Sequence, residues 1–148
     1  MPLQLVLDSN VWLDWLVFND ASIKPIQDLV DSGKAAIIID ADCDAELVRV
    51  LAYPLQKWTL DAEAQAACVD RFRSVARRVI APRETGKLPA CRDPDDQKFL
   101  VLAAATGAFC LLTKDRALLK LAKSRYALPF HIVTPAKFPE LPGVESIR

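Results

Sequence analysis

The sequence is poor in glycine, with four in 148 residues, and has a single histidine, His131. Neither GxGxxG nor GxxxxGK[ST] occurs, so loops that wrap nucleotide phosphates are not supported. Four cysteines are present, at 43, 68, 91 and 110, and no two form a CxxC pair. With one histidine to join them, a zinc site is not expected. Cys68 and Cys110 sit in apolar runs and read as small buried hydrophobes. No apolar run approaches the roughly 18 residues that span a membrane. The opening Met1-Pro-Leu-Gln-Leu-Val-Leu-Asp8 lacks a basic region and meets an acid at once, so it reads as a strand rather than an export signal, with the cytoplasm as the expected compartment. No Ser/His/Asp or Cys/His arrangement is visible, and His131, inside an apolar strand, is expected in the core.

Hydrophobic residues make up 52% and charged residues 26%, the composition of one ordinary globular domain. Net charge is zero but unevenly spread. Residues 1–70 carry 12 acids and 4 bases, and residues 71–148 carry 15 bases and 7 acids. Such asymmetry suits either a phosphate-rich partner on the basic part or neutralisation of the two halves across the fold.

Strands are expected at Leu3–Leu7, Ala35–Ile39, Ala108–Leu112 and Phe130–Val133. Helices are expected at Val11–Phe18, Pro25–Ser32, from Asp40 to about Ala52, over Leu60–Ile80, from Asp93 to Gly107 and over Asp115–Lys123. Residues 81–92 read as a loop. Alternation of this kind calls for a Rossmann-like three-layer α/β/α sandwich with a central, mainly parallel sheet. One domain over residues 1–138 and a tail over 139–148 are expected.

Ligand sites in open α/β sheets lie beyond the carboxyl ends of the strands. Acids fall there repeatedly. Asp8 follows the first strand and Glu46 lies about one and a half turns into the helix after the second. Asp93, Asp95 and Asp96 open a helix, and Asp115 follows a strand after Thr113. Each alone can be a cap or a solvated residue. Together they suggest carboxylates converging on one rim, where mutual repulsion raises their pKa values unless cations fill the site. Oxygen ligands of this kind suit Mg²⁺ or Mn²⁺, which can activate and orient an attacking water. Two basic groups can grip phosphates: Arg71, Arg73, Arg77, Arg78, Arg83, Lys87 and Arg92, and Lys114, Arg116, Lys120, Lys123 and Arg125. Of these, Arg92, Lys114 and Arg116 stand nearest the acids in the chain. Trp58 can stack on a base, whereas Trp12 and Trp15 suit the core or a dimer contact.

Leu5-Val-Leu-Asp8-Ser-Asn10, Asp44-Ala-Glu46-Leu-Val-Arg-Val-Leu51, Arg92-Asp-Pro-Asp-Asp96-Gln-Lys-Phe-Leu-Val-Leu-Ala103 and Leu111-Leu-Thr-Lys-Asp115 together resemble, in order, the four motifs of PIN domains. Ile132-Val-Thr-Pro-Ala-Lys-Phe138 resembles a closing segment of the toxin branch of that family, the VapC-like ribonucleases of toxin–antitoxin systems. The resemblance runs from residue 3 to about 138. It implies an Mg²⁺- or Mn²⁺-dependent endoribonuclease with Asp8, Glu46, Asp96 and Asp115 as the acidic quartet. Asp8 and Asp96 would be the most direct metal ligands, joined by Asp115, with Asn10, Thr113 and Asp93 as polar helpers. It also implies an RNA substrate, a small antitoxin partner and a homodimer. The third acid is open among Asp93, Asp95 and Asp96. Two other readings remain. One is a degenerate PIN-like module that binds RNA or protein without cutting. The other is a phosphotransfer domain accepting on Asp8, in which Asn10 replaces the second aspartate expected of the phosphatase motif.

Overall fold

The computed structural model describes residues 2–54, 59–80, 88–123 and 128–147. Trp58, Arg83, Lys87, Arg125 and most of the expected loop over 81–92 lie outside these residues.

Five strands form one sheet: β1 (Leu3–Leu7), β2 (Ala35–Ile39), β3 (Arg77–Arg78), β4 (Cys110–Leu112) and β5 (His131–Val133). Their spatial order is β3-β2-β1-β4-β5 and every pairing is parallel. The three inner strands read LQLVL, AAIII and CLL. Strands covered on both faces need continuous apolar runs, and these supply them. Helices cover both sides of the sheet.

The helices are α1 (Ser9–Leu16), α2 (Lys24–Asp31), α3 (Ala41–Leu51), α4 (Ala62–Val75), α5 (Gln97–Thr106), α6 (Arg116–Leu121) and α7 (Pro142–Glu145). α1, α3 and α4 pack on one another, while α5 lies against β1 and β4. Trp12 stands 5.6 Å from Trp15 and 5.8 Å from Phe72 of α4, ring centre to ring centre. All three rings are buried within the chain itself, so the tryptophans of α1 serve the core.

Three expectations need correction. The helix expected over Leu60–Ile80 stops at Val75, because Ala76 turns to extended backbone and Arg77–Arg78 pair with Ile38–Ile39 as an edge strand. A two-residue strand carrying two arginines has no apolar signature to reveal it. The tail expected from residue 139 is packed instead. A 3-10 turn at Phe138–Glu140 leads into α7, Val144 is fully buried, and Gly143 lies so close to Phe109 that a Cβ there would meet its ring at 2.9 Å. His131 is exposed on β5, with Phe109 edge-on at 5.0 Å. Its strand ends the sheet, and alternation turns that position outward.

Candidate active site

The strand order reverses direction at β1, with β2 on one side and β4 on the other. The crevice beyond the carboxyl ends of β1 and β4 is therefore the topological switch point, where open α/β sheets bind ligands. Register brings Leu7 beside Leu112. The next residues in each strand are Asp8 and Thr113, and the Asp8 N–H donates to the Leu112 carbonyl at 3.1 Å.

Asp8 is both a helix cap and a site residue. Its Oδ1 accepts from the Val11 N–H at 3.0 Å, which starts α1. Its Oδ2 accepts from the Thr113 hydroxyl. Thr113 is wholly buried, and its Oγ1 in turn accepts from the Asp115 N–H at 3.0 Å. A hydrogen-bond chain thus joins Asp115, Thr113 and Asp8 across the switch point. Asp115 caps α6 by accepting from Ala117 N–H at 2.8 Å.

Among the three acids before α5, the geometry separates the roles. Asp93 caps a 3-10 turn at Pro94–Asp96 by accepting from Asp95 N–H at 2.9 Å, and Asp95 is exposed. Asp96 bears no side-chain cap bond and its carboxyl pairs with that of Asp115. Gln97 braces the approach to this turn, bonding to Cys91 N–H and the Pro89 carbonyl at 2.8 and 3.1 Å.

The electrostatics follow from this crowding. Burial pushes the Asp8 carboxyl above its ordinary range, with a further contribution from the Asp115 charge, against the lowering effect of the Thr113, Val11 and Asn10 donors. Burial, the hydrogen bond and charge of Asp115, and the charges of Asp93 and Asp8 push Asp96 up to about 6. The Cys91 thiol is pushed up to about 11 by burial and the same acids, Asp96, Asp115 and Asp93.

Glu46 is placed differently. Its carboxylate receives the Lys98 ammonium at 3.1 Å and is paired with Arg49 one turn along α3. Asp8 is thus linked to Asp115 through Thr113, and Asp96 pairs with Asp115, while Glu46 engages cations from α3 and α5. Among the described residues, no three His, Cys, Asp or Glu side chains stand close enough together to enclose a metal ion. The donor set still fits a hard divalent cation in kind. It is all oxygen, and the Asp115 charge adds to the upward push on both Asp8 and Asp96, a repulsion that a cation relieves.

The basic residues divide. Arg73 holds Asp44 through two bonds of 2.8 and 3.1 Å, Arg78 reaches the same carboxylate at 3.3 Å, and Arg71 donates to the Leu16 carbonyl at 3.1 Å. These three tie α4 and β3 to α3 and α1, and Arg73 and Arg78 neutralise an acid of the N-terminal half. Arg92 and Arg116 instead line an open cleft of about 470 Å³ with Asp93 and Asp115. Lys114 and Asn10 line a second cleft of about 530 Å³ on the other side of Asp115. Two buried acids went unrecognised in the sequence reading, Asp14 and Asp44. Asp14 carries a signal, since it is a lone charge inside the apolar run Val11–Leu16. Asp44 carries none, because its arginines lie 29 and 34 residues away.

A parallel five-stranded sheet of this order, with acids at its switch point, defines a Rossmann-like domain. A family model described as PIN domain matches residues 4–117, and the chain belongs to the PIN-domain family. PIN domains are generally nucleases that use divalent metal ions. Among solved structures, the chain is similar to a chain in the crystal structure of VapBC2 from Rickettsia felis bound to a DNA fragment from their promoter, at 14% identity and a TM-score of 0.61, covering 88% of this chain and 97% of that one. At that identity the likeness is one of fold. No curated protein matches the sequence. Among the described residues, no helix is long and apolar enough to cross a membrane.

Proposed function

We propose that this PIN domain is a divalent-metal-dependent endoribonuclease, the toxin of a toxin–antitoxin pair, and that Asp8, Asp96 and Asp115 hold its Mg²⁺ or Mn²⁺. The observation that carries the reading is the hydrogen-bond chain joining Asp115, Thr113 and Asp8 across the switch point, with the Asp96 carboxyl against Asp115. Carboxylates that repel one another at a ligand-binding crevice favour a cation between them. When bound, the cation would supply Lewis acidity at the phosphate and lower the pKa of a water.

The chain's own groups do the rest. Thr113 and the Val11 N–H fix both oxygens of Asp8, so that carboxylate stays in one orientation. Arg92 and Arg116, exposed beside Asp115, grip the phosphates flanking the cut. Asn10 is exposed at the first turn of α1 on the other side and offers a polar contact to the substrate. Glu46 completes the acidic quartet through Lys98, whose ammonium lies on α5 two residues beyond Asp96. The toxin role and the antitoxin partner rest on the family resemblance and on the VapBC2 fold likeness, and the homodimer on the resemblance alone.

Purified protein incubated with a panel of labelled single-stranded RNAs and DNAs tests this. Cleavage of RNA with Mg²⁺ or Mn²⁺, abolished by EDTA, is the expected result. Folded, antitoxin-free protein that cuts nothing under any metal would instead favour a binding module.

A further inference from the structure

The cleft on the Asn10 side of Asp115 is built unlike the arginine-lined cleft opposite. Asp14, Phe18, Asp20 and Lys114 line it together with Asn10 and Asp115. Its volume, about 530 Å³, is in the range of small-molecule sites. Phe18 is 37% exposed, a large aromatic left on the rim.

The loop that carries Phe18 is held in place. After α1, the Val17 and Phe18 N–H groups both donate to the Leu13 carbonyl, at 2.8 and 3.0 Å. Asn19 then takes a left-handed φ of 49°, a conformation asparagine tolerates better than most residues. This turns the chain so that the Asp20 N–H returns to the Asp14 carbonyl at 3.0 Å. Asp20 and Asp14 are thereby drawn to the same cleft.

Their carboxylates have spare acceptor capacity. Both Ser22 donors fall on Asp20 Oδ1, at 2.9 and 2.7 Å. Asp14 is 4% exposed, and its Oδ2 has no hydrogen-bond partner among the described residues. The Lys114 ammonium lies 2.5 Å from that oxygen as an ion pair, without hydrogen-bond alignment. The lysine side chain is 46% exposed, so a ligand that displaces it leaves it in solvent. A buried acceptor paired only by a departing cation is a receptor for N–H donors.

We propose that this cleft holds the base of the nucleotide next to the scissile phosphate, with Phe18 stacked on its face and Asp14 and Asp20 accepting from its Watson–Crick edge. Guanine fits best, because its N1–H and amino group are adjacent donors that match one carboxylate. Uracil presents one N–H between two carbonyls, which a carboxylate repels. Adenine and cytosine present an amino group beside an acceptor nitrogen. Lys114, released from Asp14 by the base, is then available to the nucleotide's own phosphate. The two clefts share Asp115, so a strand gripped at Arg92 and Arg116 passes over the acid directly into this site. The inference rests on the nuclease reading for its placement and not for its ligand.

The test uses uridine oligonucleotides carrying one G, A or C, or none. Cleavage is mapped with Mn²⁺, and binding is read separately by fluorescence anisotropy in EDTA. Wild type is compared with Asp14→Asn and Phe18→Ala, each checked for folding by circular dichroism. Phe18 is on the rim, so its variant keeps the test open if the buried Asp14 substitution unfolds the chain. Cutting beside G about tenfold over U is expected, together with a similar binding preference. Asp14→Asn should collapse the G-to-U ratio in both assays, and Phe18→Ala should weaken binding of every oligonucleotide about tenfold. If wild type cuts nothing, the nuclease reading fails and the binding assay alone decides this one. Equal wild-type affinity for all four oligonucleotides, or affinity unchanged in Phe18→Ala, would overturn it and leave the cleft to a cationic protein partner.

Discussion

The Thr113 hydroxyl donates to the Asp8 carboxylate from the neighbouring strand, 105 residues away in the chain, while accepting from the Asp115 backbone. This one side chain links the two acids that follow β1 and β4. Thr113→Val keeps the shape and removes the donor. The buried Asp8 carboxylate then loses the partner of one oxygen, at a cost of about 1–3 kcal/mol. Urea unfolding should show that loss, and RNA cleavage should fall about tenfold or more. An unchanged midpoint and rate would mean the bond does nothing.

Asp96 gives a pH dependence with a definite sign. Its folded pKa of about 6 lies above the ordinary 3.8, so the native chain binds more protons than the unfolded one between these values. Stability from this group is therefore greatest at low pH and declines as pH rises from about 4 to 6. Asp8, also raised, acts in the same direction. Asp96→Asn should raise the melting temperature at pH 7.5 by about 2–4 °C, a modest gain because solvent screens this half-buried group, and should give no gain at pH 4. Saturating Mg²⁺ should raise the wild-type melting temperature at pH 7.5 and have less effect on the variant. Calorimetric scans with and without Mg²⁺ check both statements.

Asp44 is a structural clamp. It is buried on α3 and holds Arg73 of α4 and Arg78 of β3. Asp44→Ala frees two guanidinium groups and should cost about 1–3 kcal/mol, since bonds to a charged group are lost. The loss should appear first at β3, where hydrogen exchange of the Val79 amide, bonded to Ile39 at 2.9 Å, should speed up. Exchange changes confined to α1 would contradict this assignment.

Arg92 and Arg116 should act through phosphates alone. Each change to Ala should weaken RNA binding about equally across sequences and reduce the slope of log affinity against log salt by about 1. Anisotropy titrations at several salt concentrations measure this. A variant whose salt slope stays at the wild-type value would remove that arginine from the interface.

Much of the fold was legible because parallel strands buried on both faces show as unbroken apolar runs. Leu3–Leu7 and Ala35–Ile39 have in the structure the bounds their residues suggested. Pro94, Gly107 and the capping aspartates marked helix ends for local reasons of backbone chemistry. β3 was not legible, because Arg77 and Arg78 pair through backbone alone and the Arg78 side chain is held by an acid far off in sequence. Burial of Val144 depends on where the chain finally docks, which no local pattern records. For the site, Asp8 and Asp115 stand just beyond β1 and β4, as strand ends suggested, whereas the sequence left the third acid open among Asp93, Asp95 and Asp96. The engagement of Glu46 by Lys98 was not legible, because it depends on how α3 and α5 pack. Asp14 was visible only as an odd charge in an apolar helix, and its place beside Phe18 and Asp20 needed the left-handed turn at Asn19.

The proposed role of the switch-point carboxylates is to hold the cation that cuts RNA. Its most direct test is metal-dependent cleavage of labelled single-stranded RNA by wild type, Asp8→Asn and Asp96→Asn, with Mn²⁺ affinity measured by titration calorimetry on the same samples. Wild-type cleavage that EDTA removes is expected, with loss of both cleavage and Mn²⁺ binding in each folded variant. Cleavage that persists in either variant, or Mn²⁺ bound equally by all three proteins, would contradict it.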